Sequence, residues 1–313
     1  MSTSFLVADN EATGVAHETI GDEVRGSPGR SAHAAAMMAK HAVARALPHP
    51  VYRMYRKRRV ARQIRSYSAR IVSHDYGGHR LNVLITDPMA EAWYDRENCG
   101  LGEIDELVRM GALRPGATVF ELGAHHGIVA LILAAELGPS GKIVALEAEP
   151  HNAATARKNV DLNGAANVTI VHAAIAEHPG RLYFAEGLNG HVDTATRFGN
   201  VEVEAMTIDQ LVEQHGTPDL VFIDVEGYEG KALEGATTTL GSGRTIFFVE
   251  VHATWLVDCT VADLVAQFAG YTVFYAEPAG TGLIAPFARL DRAPRGSRFF
   301  LLAVPEGSGG RSR

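Results

Sequence analysis

The residues best suited to chemistry crowd into two short stretches. In FIDVEGYEG, Phe222 to Gly230, three carboxylates, Asp224, Glu226 and Glu229, occupy one strand-to-helix turn. In FFVEVH, Phe247 to His252, Glu250 and His252 stand two residues apart, so an extended strand points both to the same side. Unpartnered carboxylates gathered in this way destabilise a fold unless something compensates them, which marks a candidate binding or catalytic site. The structural alternative is that Glu229 caps a helix start and Glu226 accepts backbone donors. Oxygen donors with one imidazole would also suit Mg²⁺ or Mn²⁺, but no close-spaced ligand motif accompanies them, and no metal is assigned.

A second group lies upstream. VFELGAHHG, Val119 to Gly127, is followed by IVALEAEP, Ile143 to Pro150: an apolar strand, a glycine turn, an apolar helix and a second strand ending on Glu147. This is the layout of a nucleoside-binding α/β unit. Gly123 lets the backbone turn tightly and approach a ligand, Gly127 lets the following helix pack against the strand, and Glu147 is placed to accept both hydroxyls of a ribose. A dinucleotide fingerprint beginning at Gly123 needs glycines at 125 and 128; this chain has His125 and Ile128, which weakens an NAD-dependent oxidoreductase reading.

These turns need a frame. Apolar runs predict strands at Thr118 to Leu122, Lys142 to Ala148, Val168 to Ala174, Leu220 to Val225 and Thr245 to Val251. Helices are expected near Ile128 to Leu137, Asn152 to Leu162 and Tyr228 to Leu240. Such alternation specifies a parallel α/β sheet covered on both faces. RLYFAE and VEVEAMT predict an extra hairpin, Thr207 and Thr260 read as helix N-caps, and YTVFYAE with RFFLLAV predicts an antiparallel pair closing the sheet. Ligands bind beyond the carboxyl ends of parallel strands, where strand order reverses. Those ends hold Glu121, Gly123 and Ala124, then Glu147 and Ala148, then Ala173 and Ala174. The alanines leave room for a flat adenine ring, and close packing accounts for them equally well.

Residues 1–30 are expected to be a disordered tail. Residues 31–100 read as an extension: an alanine-rich helix to about Leu47, a basic helix in RMYRKRRVARQIR, a hairpin turning at Gly77 and Gly78, and a segment whose Trp93, Tyr94, Asp95 and Glu97 suit a lid. Residues 101–305 form the nucleoside-binding domain and 306–313 a flexible tail. The net charge of −7 conceals a division, because residues 1–70 carry twelve Lys or Arg against five Asp or Glu, and the remainder seventeen against thirty-one. The basic segment could meet nucleic acid or an anionic membrane, yet a solvated helix face explains it more simply, and no nucleic-acid partner is expected. No apolar run approaches the ~18 to 20 residues of a membrane span. Cys99 and Cys259 are too few for a disulfide scaffold, so a reducing cytoplasm is the expected compartment. Other histidines, His126, His151 and His172 among them, are expected at the surface or in packing.

With these motifs on the page, the chain resembles the FkbM family of class I S-adenosylmethionine-dependent methyltransferases. The likeness rests on ELGAHHG, LEAEPHNAATARKNVDLNG, TIDQL and DVEGYEG with VEVH after it, from about Asp87 to His252. His125 departs from it, standing where the family has Asn. The resemblance implies a Rossmann-like, mostly parallel seven-stranded sheet with an antiparallel last strand. It implies S-adenosylmethionine as cofactor, held by Glu121, Gly123, Ala124, His125 and Gly127 at the methionine end and by Glu147 at the ribose, with Ala148 and Ala174 nearby and Asp224 close to the cofactor amine or the acceptor. The expected acceptor is a hydroxyl on a small molecule, sugar or lipid-linked glycan. Because an alcohol has a proton to lose, His252, Glu226 or His125 is the expected general base, with His252 favoured. An RNA methyltransferase using the basic segment is the rival reading. Weak membrane association through that segment would suit a lipid-linked acceptor, and a homodimer is compatible with the chain.

Overall fold

The computed structural model describes residues 49–97, 101–185, 191–192, 201–280 and 282–307. The expected tail of residues 1–30, the alanine-rich helix before Pro48, Cys99 and the end of the chain lie outside the described residues. His49–Arg313 cluster as one compact unit. Helix α1 (His49–Ser66) carries the basic segment and exposes Lys57, Arg58, Arg62 and Arg65. The expected hairpin follows as β1 (Arg70–Tyr76) and β2 (His79–Ile85), with Tyr76 opposite His79 across the turn. Next comes α2 (Pro88–Tyr94), capped by Asp87, which accepts from the Met89 and Ala90 amides, and then α3 (Gly102–Arg109).

The α/β core is β3 (Thr118–Leu122), α4 (Ile128–Leu137), β4 (Lys142–Glu147), α5 (Pro150–Leu162) and β5 (Val168–His172). Four short strands build a second sheet: β6 (Ala174–Ile175), β7 (Gly180–Ala185), β8 (His191–Val192) and β9 (Val201–Met206). The chain then runs through α6 (Ile208–His215), β10 (Leu220–Ile223), α7 (Glu229–Glu234), α8 (Thr237–Gly241), β11 (Ile246–His252) and α9 (Val261–Ala266). It ends with β12 (Tyr271–Ala276), β13 (Pro278–Gly280), β14 (Leu283–Ile284), β15 (Ala288–Arg289) and β16 (Arg298–Pro305).

The large sheet has the order β15-β12-β16-β11-β10-β3-β4-β5. Strands β3, β4, β5, β10 and β11 are parallel, and β16 inserts antiparallel between β11 and β12. The expected seven strands are therefore present, and the two-residue β15 adds an eighth at the edge. Strands this buried need helices on both faces, which explains why LVFI of β10 is apolar throughout. Helix α4 is likewise buried on most of its surface.

Two elements differ from their sequence reading. The third strand divides at Ala173: β5 stays in the large sheet, whereas Ala174 and Ile175 pair with Ala205 and Met206 of β9. The helix expected over Tyr228 to Leu240 breaks near Gly235, whose added Cβ would lie 2.3 Å from the Ala176 carbonyl oxygen. The Asp209 carboxylate then accepts the Thr238 and Thr239 amides and starts α8. Thr207 and Thr260 both form capping boxes, as expected. The hairpin is not a separate layer, because Val83, Ile85 and Ala90 share a core with α4 and β3. It is also bonded to α5, where Asn159 Oδ1 accepts the Leu84 amide at 2.7 Å. Among the described residues no helix is long and apolar enough to cross a membrane.

Candidate active site

Strand order reverses between β3 and β10, so their carboxyl ends frame the crevice in which an open α/β sheet binds ligands. Glu121 near the end of β3 is buried, and its Oε2 has no hydrogen-bond partner. Burial first, and repulsion from Glu147 second, push its pKa up to about 8. Glu147 ends β4, where Oε2 accepts the His125 amide at 2.7 Å and Oε1 the Glu149 amide at 2.7 Å. Burial raises its pKa to about 7 although those two amides pull the other way. Glu149 itself is the N-cap of α5, accepting the His151 and Asn152 amides.

Both motif glycines are required by the packing of the chain on itself. Gly123 has φ +100°, and a Cβ there would lie 1.9 Å from the Asp224 carbonyl oxygen. It lets the turn after β3 touch the end of β10, a close approach of backbone to backbone. Gly127, at φ +79°, starts α4, and its Cβ would come within 3.2 Å of Ala156 on α5. It packs helix on helix instead of helix on strand. Ala124 between them is buried. Ala148 and Ala174 pack with Val203 and Leu182 in a small apolar patch.

His125 adopts φ +48°, a left-handed conformation uncommon outside glycine and concentrated at functional sites. Its Nδ1 pairs with the Tyr94 hydroxyl at 2.9 Å, and its ring lies 5.0 Å from that of Trp93. The end of α2 therefore lies on the glycine turn, as a lid would. Asp95 and Glu97 point elsewhere: Asp95 pairs with Arg70 at 2.5 Å and His74 at 2.7 Å, and Glu97 with His74 at 3.2 Å.

At the neighbouring strand ends the second carboxylate group closes around one imidazole. Glu226, at φ +51°, and Gly227 turn the chain sharply beneath Trp255, whose carbonyl oxygen would lie 2.4 Å from a Cβ at Gly227. His252 Nδ1 bonds Glu229 Oε1 at 3.0 Å and lies 4.0 Å from Asp224 Oδ1. Its Nε2 is 3.5 Å from Glu226 and 3.4 Å from Glu250. The Trp255 ring stacks on it at 5.2 Å, and Arg298 on β16 bonds Glu250. Burial alone would lower the His252 pKa, but the bonds to Glu229 and Glu250 and the field of Asp224 and Glu226 hold it at about 11. An imidazole so held is a cation at neutral pH in the ligand-free protein, a charge state that disfavours the role of general base expected for it. The pKa of Asp224, by contrast, is driven far up by burial and by repulsion from Glu250 and Glu226. Its Oδ1 has no hydrogen-bond partner.

Glu229 does not cap α7 as expected, since the N-cap is Tyr228 with no side-chain cap bond; it accepts the Gly227 amide at 2.9 Å, just before the helix. His172 is exposed and pairs with the Ala148 carbonyl at 3.2 Å. Sequence reasoning missed the Tyr94–His125 bond, the Trp255 stack and Arg298. Each joins segments far apart in the chain, and no spacing rule connects them.

A mostly parallel sheet with β16 inserted antiparallel between β11 and β12, and a buried acid near the ends of β3 and β4, is the Rossmann-like fold of class I S-adenosylmethionine-dependent methyltransferases. Residues 121–271 match the family model described as Methyltransferase FkbM domain. A curated arsenite methyltransferase from Halobacterium salinarum is 34% identical over 92 residues, which are 29% of this chain and 23% of that protein. Similar solved structures include a methyltransferase FkbM from Methylobacillus flagellatus, with 15% identity, TM-score 0.40, and coverage of 59% of this chain and 43% of that one. Another is Aeropyrum pernix fibrillarin with natively bound S-adenosyl-L-methionine, with 13% identity, TM-score 0.41, and coverage of 76% and 83%. The chain thus spans about a quarter of the curated relative and less than half of the FkbM structure.

Proposed function

We propose that this protein transfers a methyl group from S-adenosylmethionine to a hydroxyl of a small molecule, sugar or lipid-linked glycan. The observation that carries the reading is the carboxylate pair Glu121 and Glu147, buried side by side, with one Glu121 oxygen unpartnered inside the stretch that matches the FkbM domain model. A buried carboxylate oxygen without a donor fits a cationic ligand, and the cofactor is one. Glu121 and the turn from Gly123 to Gly127 would hold its methionine end. Each Glu147 oxygen retains a lone pair for a ribose hydroxyl, and Ala148 and Ala174 would wall the adenine. The bound cofactor supplies an electrophilic methyl carbon on a sulfonium.

Methyl transfer is an in-line displacement, and the protein's work is alignment and removal of the acceptor proton. Asp224, whose Oδ1 has no hydrogen-bond partner, suits the second task in its ionised form, which burial and its carboxylate neighbours disfavour and a cationic ligand beside it would favour. His252 acts through the carboxylates it joins, as a fixed cation that limits their repulsion. Its charge also fills the role that a metal would have at Asp224, Glu226 and His252, whose donor atoms converge within 4.8 Å. Calorimetry with S-adenosylmethionine, S-adenosylhomocysteine and NAD tests the cofactor. Release of S-adenosylhomocysteine against a panel of sugars, phenols and prenyl-linked glycans tests the acceptor. Binding of NAD in preference to both sulfur compounds would overturn the reading.

A further inference from the structure

His126 lies inside the glycine turn, fully buried, and neither ring nitrogen has a hydrogen-bond partner. Its Nε2 nevertheless lies 3.1 Å from Asp87 Oδ2, and the Nε2 of His151 hydrogen-bonds the same oxygen at 3.3 Å. Asp87 is buried and uses only Oδ1 to cap α2, leaving Oδ2 to face the two imidazoles. All three donor atoms fall within 4.8 Å of one another. A fourth oxygen, Thr86 Oγ1, is 3.0 Å from His151 Nε2.

These separations have a meaning. Zinc binds nitrogen and oxygen at about 2.0 to 2.1 Å in a tetrahedron, whose edges are then about 3.3 Å. The Asp87 edges of 3.1 and 3.3 Å match that figure. At 3.1 Å without hydrogen-bond alignment, the His126 nitrogen and the Asp87 oxygen are set to share a third atom. Two imidazoles and one carboxylate also suit a first-row transition ion better than Mg²⁺ or Ca²⁺. The Asp224, Glu226 and His252 group offers one imidazole rather than two and is the poorer match to a first-row transition ion.

We propose that Asp87, His126 and His151 form a binding site for a divalent first-row transition ion, with zinc the best match. The ion would staple three elements of the candidate active site. Asp87 starts the lid helix that carries Trp93 and Tyr94, His126 follows His125 in the glycine turn, and His151 opens α5 just beyond Glu147. His151 is partly exposed and provides the entry path. The site stands on these residues alone and does not depend on the methyltransferase reading.

The test uses the full chain, stripped with a chelator and titrated with ZnCl₂ by calorimetry, with metal content read by mass spectrometry. One ion per chain, a raised melting temperature and a tetrahedral Co²⁺ absorption spectrum are expected. Asp87→Asn, which keeps an N-cap, and His151→Gln should each weaken zinc binding by at least about 100-fold, as expected for loss of a direct ligand. Glu226→Gln should leave it unchanged. Circular dichroism confirms that each variant is folded. No zinc uptake by the folded wild-type chain, unchanged affinity in both ligand variants, or loss of zinc in Glu226→Gln would each overturn the proposal.

Discussion

Glu229 Oε1 accepts His252 Nδ1 at 3.0 Å and the Gly227 amide at 2.9 Å, so one buried carboxylate ties the turn after β10 to the end of β11. The pair holds the acidic strand ends together, and its removal should cost stability before it costs chemistry.

His252→Ala should destabilise the fold by about 3 to 5 kcal/mol, since it strands the buried Glu229 without its cation. Urea unfolding measures this, and cofactor affinity in the variant should change little. Wild-type behaviour follows from the raised pKa. The imidazole has an ordinary value of 6.5 when unfolded and about 11 in the fold. Its contribution is complete below pH 6.5 and is lost as pH rises toward 11, because the folded state keeps a proton that the unfolded state gives up. NMR should show a His252 imidazolium at pH 8. A neutral ring there would return it to the list of bases.

Cofactor binding should strengthen with pH. Glu121 and Glu147 titrate at about 8 and about 7 in the free protein, against 4.5 when unfolded. A cationic ligand favours their ionised forms, so binding expels protons, and affinity should rise up to about pH 8. Titrations in buffers of different ionisation enthalpy count the protons directly. The same shifts imply that the ligand-free fold loses stability between pH 4.5 and about 8, and the cofactor should restore it.

Glu147→Gln keeps the shape of the side chain and removes its charge. The loss of charge-assisted bonds to the ribose, about 1.5 to 3 kcal/mol, should weaken S-adenosylmethionine binding by roughly ten- to hundredfold. An unchanged dissociation constant would move the ribose elsewhere.

Gly123→Ala should lower stability by about 3 kcal/mol or more, combining a strained φ of +100° with a backbone collision at Asp224. Thermal melting of the ligand-free protein should already show it, because the clash is with the chain itself.

Tyr94→Phe removes the hydroxyl that pairs with His125 at 2.9 Å. A bond worth about 1 kcal/mol should appear as a several-fold faster release of cofactor, measured by stopped flow. Equal release rates would mean that the lid contact is only packing.

Local pattern was enough for the frame. Both boundaries of β3 and α4, the hairpin turn at Gly77 and Gly78 and the two threonine caps follow from hydrophobic period and capping chemistry, which act between near neighbours. Gly123, Glu147 and the pairing of Glu250 with His252 on one strand face were legible for the same reason. The need for glycine at 235, where the helix breaks, was not, because it comes from the close approach of the Ala176 carbonyl far along the chain. Nor was the protonation of His252, which depends on how many carboxylates two separate strands bring around one ring. The sequence by itself determined a parallel α/β sheet with acids at its strand ends and a family resemblance. Only the tertiary structure brought Asp224, Glu226, Glu229 and Glu250 around His252, and brought Asp87, His126 and His151 together. Charge state and ligand geometry depend on distances of 3 to 4 Å between remote segments, and no linear spacing encodes them.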